Sequence, residues 1–134
     1  MSDTLEDMIY RRTLSCGTIQ VTRDQGDVSL DDLFDIAERR NPKRAFLFVS
    51  KVLGRHIPVP PSVMRQAYRQ LASQFPATLT GPVLFIGMAE TAVGLGAGVF
   101  DEVRHQHRES VYLTSTRHPV DGTLLCEFKE EHSH

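Results

Sequence analysis

The sequence predicts an α/β domain built on a parallel sheet, and three neighbouring segments carry that prediction. VLFIG (83–87) is a short apolar run bounded by glycine, the length of a buried strand. TAVGLGAGVFDEVRHQH (91–107) reads as a helix, and SVYLTST (110–116) returns to β-branched and aromatic residues. Strand, helix, strand within 83–115 requires a crossover, hence a parallel pair with a right-handed connection. At 134 residues, with 40% hydrophobic and 24% charged residues, the whole chain 1–134 reads as a single folded domain.

The preceding elements follow in order. RTLSCGTIQVTRD alternates around Cys16-Gly17, which predicts a short hairpin with Gly17 in the turn. Ser29 then precedes LDDLFDIAERRN, where Leu30, Leu33, Phe34 and Ala37 share a helical face. Asp32 lies in the first turn and Arg39 and Arg40 in the last, so an N-terminal helix is predicted, stopped by Asn41-Pro42. AFLFVS (45–50) predicts a buried strand, and KVLGRHIPVPP an extended polar loop. Ser62 reads as the cap of a helix over VMRQAYRQLASQF, with Val63, Ala67, Leu71 and Phe75 about four apart. Beyond 116, TLLCEF (123–128) predicts one more strand.

Charge and composition exclude several classes. A net charge of −2 gives no general pull toward nucleic acid or acidic membranes. The local cluster Arg39, Arg40, Lys43, Arg44, followed by Lys51 and Arg55, favours a small-anion site over a polyanion surface. No run reaches the ~18 apolar residues of a membrane span. MSDTLEDMIYRR lacks the features of a signal peptide, so a cytoplasmic location is expected. Cys16 and Cys126 fit no CxxC pattern and read as two reduced thiols.

The turn Gly87-Met88-Ala89-Glu90-Thr91-Ala92 hands the 83–87 strand to the next helix, at the strand end where ligands of open parallel sheets collect. Free N–H groups and the helix dipole make such a turn an anion cradle. It has no GKS or GKT ending, and GLGAG lacks the GxGxxG spacing directly after a strand. Gly94, Gly96 and Gly98 fall at every second position, so they cannot face one way; some are expected to let the helix pack closely on the sheet. Asp101 and Glu102 diverge by ~100° on a helix and read as solvated surface. His105 and His107 suit a helix C-terminus. No GxSxG elbow supports a serine nucleophile.

NPKRAFLFVSKVLGRHIPV, GPVLFIGMAETAVGLGAGVFDEV, VYLTSTRHPV and EFKEEHSH together resemble the phosphoribosyltransferases of tellurium-resistance gene clusters, relatives of orotate phosphoribosyltransferase. The resemblance implies an incomplete type I phosphoribosyltransferase-like parallel core behind an N-terminal hairpin and helix. In that family the turn after a buried strand holds the pyrophosphate of phosphoribosyl pyrophosphate, which here would be Met88, Ala89, Glu90, Thr91 and Ala92. Arg117 stands where a basic residue approaches the pyrophosphate. Lys51 and Arg55, in SKVLGRH, become candidates for phosphate contact, with His56 beside them. EFKEEHSH would open the loop that covers the site; its Glu130, Glu131, His132 and His134 are metal-ligand types without a rigid frame.

The family's later strand, ending in two acidic residues before a Thr-Gly loop, has no counterpart here. Asp31-Asp32 lacks the Thr-Gly, and Glu90-Thr91 lies in the wrong loop. The chain therefore reads as the N-terminal half of such a domain. The expected activity is transfer of phosphoribosyl to or from a base-like small molecule, with Mg²⁺ carried by the substrate. The alternatives are a non-catalytic nucleotide- or phosphate-binding module, or a piece completed by a second copy or a complementing chain. Neither nucleic acid nor membrane is an expected partner.

Overall fold

The structure is a computed structural model that describes residues 8–41 and 43–128. It opens with an antiparallel hairpin of β1 (Ile9–Leu14) and β2 (Gly17–Thr22), paired from Ile9↔Thr22 to Leu14↔Gly17. Ser15 and Cys16 form the two-residue turn. Gly17, expected within it, is instead the first residue of β2, at a φ of +145° that favours glycine.

The helix expected over 30–41 is largely absent. Only α1 (Leu30–Leu33) is helical, with Ser29 at its start making no side-chain cap. Phe34–Glu38 forms β3, antiparallel to β4 (Phe46–Ser50) in the register Phe34↔Ser50 to Glu38↔Phe46. Local propensity lost to tertiary pairing here. In the strand, Ile36 enters a cluster with Tyr10 and Leu14 at 3% exposure, while Phe34, Leu30, Ile19 and Val21 pack around it. The same pairing gives the ladder groups of β4 their partners. β4 is not buried as expected, because Phe46 and Phe48 remain 40% and 51% exposed.

α2 (Pro61–Ala72) begins two residues earlier than expected. Pro60 is its N-cap and Pro61 opens the first turn, where a fixed φ and a missing N–H suit a helix start. Ser62 therefore lies inside the helix rather than capping it.

The predicted strand–helix–strand unit is present. β5 (Val83–Gly87) and β6 (Ser110–Thr114) pair in parallel from Val83↔Ser110 to Gly87↔Thr114, with α3 (Val93–Val103) connecting them. Phe75, Phe85, Phe100 and Tyr112 run as a chain of rings with centroids 5.3, 5.4 and 5.7 Å apart, joining the residues after α2 to β5, α3 and β6. Asp101 and Glu102 are more than solvated surface. Arg65 of α2 reaches both, at 2.9 and 3.3 Å, and Arg69 reaches Glu102 at 3.4 Å.

α3 covers one face of the β5–β6 pair, while Leu84, Ile86, Val111 and Leu113 on the other are exposed. TLLCEF is not a strand: residues 123–128 have no regular structure, and no described strand lies alongside to pair with them. The described strands form three separate two-stranded sheets, β1–β2, β3–β4 and β5–β6. The class is mixed α/β with a parallel pair, as the sequence predicted, in an incomplete form. No helix among the described residues is long and apolar enough to cross a membrane.

Candidate functional site

The turn after β5 is shaped by what it lacks. A Cβ at Gly87 would strike the Tyr112 hydroxyl, and one at Gly96 would sit 3.0 Å from that oxygen and 3.1 Å from the Cα of Gly87. With both side chains missing, α3 lies against β5 and the Tyr112 ring fits between them. Its hydroxyl donates to the carbonyl of Val93 at 2.7 Å, fixing the first residue of the helix. Gly98 faces elsewhere: a Cβ there would collide with the Tyr68 ring of α2. Gly94 meets nothing within 4 Å. The three alternating glycines thus serve the sheet, the neighbouring helix and open space respectively.

The turn itself is tied to the end of β6. The N–H of Ala89 donates to Ser115 Oγ at 2.8 Å, and the N–H of Ser115 donates to the carbonyl of Gly87 at 3.0 Å. Ala92 N–H donates to the Met88 carbonyl at 3.0 Å, closing the turn on itself. The Ala89–Glu90 peptide is cis. With Ala89 and Ala92 engaged, the N–H groups of Glu90 and Thr91 meet no protein acceptor among the described residues. Those of the first turn of α3 have no intrahelical partner by helix geometry. The positive end of the helix dipole points to the same place. Arg117, exposed, stands two residues beyond Ser115. The open amides of Glu90 and Thr91 lie beside the start of α3 and its dipole end, with the Glu90 carboxylate on the same turn. Such a helix start suits an anion.

Residues 33–134 match the family model described as phosphoribosyl transferase. The chain belongs to that family. No curated protein and no solved structure matches it significantly. In this phosphoribosyl transferase chain, the β1–β2 hairpin precedes the matched residues, yet Tyr10 and Leu14 supply most of the core around Ile36.

The predicted site residues divide into two groups. Met88, Ala89, Glu90, Thr91 and Ala92 form one turn that the β5–β6 register and the Ser115 bonds tie to the end of β6, and Arg117 follows Ser115 by two residues. Lys51 and Arg55 are not bonded to the turn among the described residues. Lys51 donates its N–H to the Leu33 carbonyl at 2.9 Å and its ammonium to the Asp31 carbonyl at 2.7 Å, which holds the end of β4 against α1. No hydrogen bond joins Lys51, Arg55 or His56 to the 88–92 turn. The two best-formed cavities also lie away from the turn. One of about 410 Å³ runs between β1 and the β3–β4 pair, lined by Arg12, Asp35, Glu38 and Ile57 among others. One of about 440 Å³ lies between α2 and α3 around Tyr68 and Gly98.

Ser115 and Tyr112 are the site residues that sequence reasoning missed. Their signal, a serine and a tyrosine in SVYLTST, acquires meaning only once Gly87↔Thr114 fixes what stands opposite. No group of three or more His, Cys, Asp or Glu gathers as metal ligands among the described residues. The tail residues Glu130, Glu131, His132 and His134 lie outside them. Cys16 and Cys126 are free and exposed.

Proposed function

We propose that the chain binds phosphoribosyl pyrophosphate, or pyrophosphate, on the 88–92 turn as part of a phosphoribosyl transfer to or from a base-like small molecule. The observation that carries this reading is the pair of open amides at Glu90 and Thr91, beside the start of α3 and beyond the carboxyl end of β5. In phosphoribosyl transfer the anomeric carbon gains oxocarbenium character while pyrophosphate departs with growing charge. Donors already aimed at that charge need no reorganisation when it appears, and this lowers the barrier. Arg117, two residues beyond Ser115, would bring a cation to the same phosphates. Glu90 would repel them unless a cation intervened, so Mg²⁺ riding on the pyrophosphate, with Glu90 facing it, suits the residues present. Lys51 and Arg55 are second-choice phosphate contacts, on a loop that would have to approach the turn. The link to tellurium resistance and stress response rests on the resemblance of the quoted blocks alone.

Isothermal titration with phosphoribosyl pyrophosphate or inorganic pyrophosphate, each with Mg²⁺, tests the reading. Binding is expected, and Arg117→Ala is expected to weaken it about tenfold or more, as for loss of one charge-assisted contact. A folded chain that binds neither ligand overturns the proposal. A second reading then takes over, that of a piece completed by a second copy or a complementing chain. The bare apolar face of Leu84, Ile86, Val111 and Leu113 favours it, since parallel sheets are ordinarily covered on both sides.

A further inference from the structure

β1 and β3 belong to separate sheets and share no ladder, so side chains set the distance between them. Two clamps do so. The Tyr10 hydroxyl donates to Asp35 Oδ1 at 2.8 Å, and the N–H and hydroxyl of Ser15 donate to Glu38 Oε1. Tyr10 lies near one end of β1 and Ser15 just past the other. The cavity of about 410 Å³ opens along the strand between the clamps, a volume that suits a small molecule. Leu14 and Ile36 of the core, with Val49 and Ile57, give it an apolar lining.

The charged groups of the lining come from opposite strands, Arg12 from β1 and Asp35 and Glu38 from β3. Each carboxylate uses one oxygen in its clamp, and the Ile36 N–H shares the Asp35 one. Asp35 Oδ2 and Glu38 Oε2 therefore accept no hydrogen bond among the described residues. The Arg12 side chain makes no hydrogen bond or ion pair among them either. Its charge still reaches both carboxyls. The Tyr10 hydroxyl first, and Arg12 in smaller measure, hold Asp35 below its ordinary pKa; at Glu38 the Ser15 hydroxyl leads and Arg12 adds to it. Both groups are carboxylates at neutral pH.

A donor fork on one strand, open acceptor oxygens on the other and hydrocarbon between them sort ligands by charge. An amine would suit the carboxylates and leave Arg12 without an acceptor. A carboxylic acid would meet Arg12 but face two like charges. A neutral base offers charge to neither side. An aliphatic α-amino acid matches all three features. Its carboxylate fits the guanidinium fork, its ammonium the two carboxylates, and its side chain the apolar lining. We propose that the cavity between β1 and β3 binds an aliphatic α-amino acid in this way. The inference does not rest on the pyrophosphate reading.

The test is a methyl NMR titration of the full chain with L-leucine. The signals of Ile36, Val49 and Ile57 should shift and saturate, while those of Ile86 and Val111, on the bare face of β5–β6, stay in place. Isopentylamine, which is leucine without its carboxylate, and isocaproate, which lacks the ammonium, should each bind about tenfold or more weakly, as for loss of one charge-assisted contact. These analogues leave the fold untouched. Arg12→Gln should weaken leucine about tenfold but not weaken isopentylamine, which separates a lost contact from a disturbed fold. Absence of saturable shifts with leucine overturns the proposal. So does equal affinity for leucine and isopentylamine, which would make the cavity a site for amines. Shifts with adenine and none with leucine would assign it to bases and overturn the proposal as well.

Discussion

From β1 to β4 the chain closes its core with side chains brought from far apart, Tyr10, Leu14 and Ile36, packed between two antiparallel hairpins. From α2 to β6 it does the opposite and makes room by omission, with Gly87, Gly96 and Gly98 leaving space for Tyr112 and Tyr68. Each region holds a tyrosine whose hydroxyl has a partner, but the partners differ. Tyr10 donates to the Asp35 carboxylate at 2.8 Å, and Tyr112 donates to a backbone carbonyl. One region is therefore open to titration through its tyrosine, and the other is open to disruption through its glycines.

The largest effect should come from the glycines. Gly98→Leu drives a side chain into the Tyr68 ring and is expected to cost about 3 kcal/mol in urea unfolding, the upper range for an overpacked core. Gly94→Ala, five residues from the start of the turn's Ala89 and facing open space, should instead gain up to about 1 kcal/mol from helix propensity. If both substitutions shift stability alike, the packing account of this region is wrong.

Next in size is the tyrosine pair. Tyr10→Phe should cost about 1.5 kcal/mol near neutral pH, as for a hydrogen bond to a charged acceptor. The Tyr10 hydroxyl first, then the Ile36 N–H, hold the Asp35 pKa below its ordinary value. The stabilisation is therefore complete above pH about 4 and is lost as pH falls through the lowered folded value. Burial, reinforced by Asp35, raises the Tyr10 pKa, so its contribution persists to pH about 10 and is lost as pH rises through the raised folded value. Tyr10→Phe should remove the alkaline slope and shrink the acid one, because the Ile36 N–H still holds Asp35. An unchanged acid slope would show that the hydroxyl does not hold the carboxylate. Tyr112→Phe, which removes a bond to a neutral carbonyl, should cost about 1 kcal/mol.

The smallest effect lies on the α2–α3 surface. Arg65→Ala removes contacts to Asp101 and Glu102 between exposed groups and should lower stability only slightly, an effect that vanishes in ~1 M salt. A loss that survives high salt would point to packing by the arginine stem instead.

The same contrast decides what could be read from the residues. β5, α3 and β6 were legible because each is a run of local pattern and their order alone implies parallel pairing. β3 was not. Leu30, Leu33, Phe34 and Ala37 satisfy a helical face, and only the partner strand 46–50 makes Phe34–Glu38 extended. TLLCEF erred in the other direction, with strand composition and no partner. At the site, the 88–92 turn and Arg117 were visible as a loop and a cation at neighbouring strand ends. The bond from Ala89 to Ser115, and the one from Lys51 to the Asp31 carbonyl, depend on pairings no local pattern encodes.

Pairing two by two leaves every described strand with one side of its backbone ladder unmatched. In the language of valence, the described residues carry six open positions and no saturated strand. A strand from any source that meets the spacing can be accepted at one of them, so the concentration of neighbouring chains becomes a variable of its behaviour. Expression level and dilution would then shape this protein as directly as pH or salt.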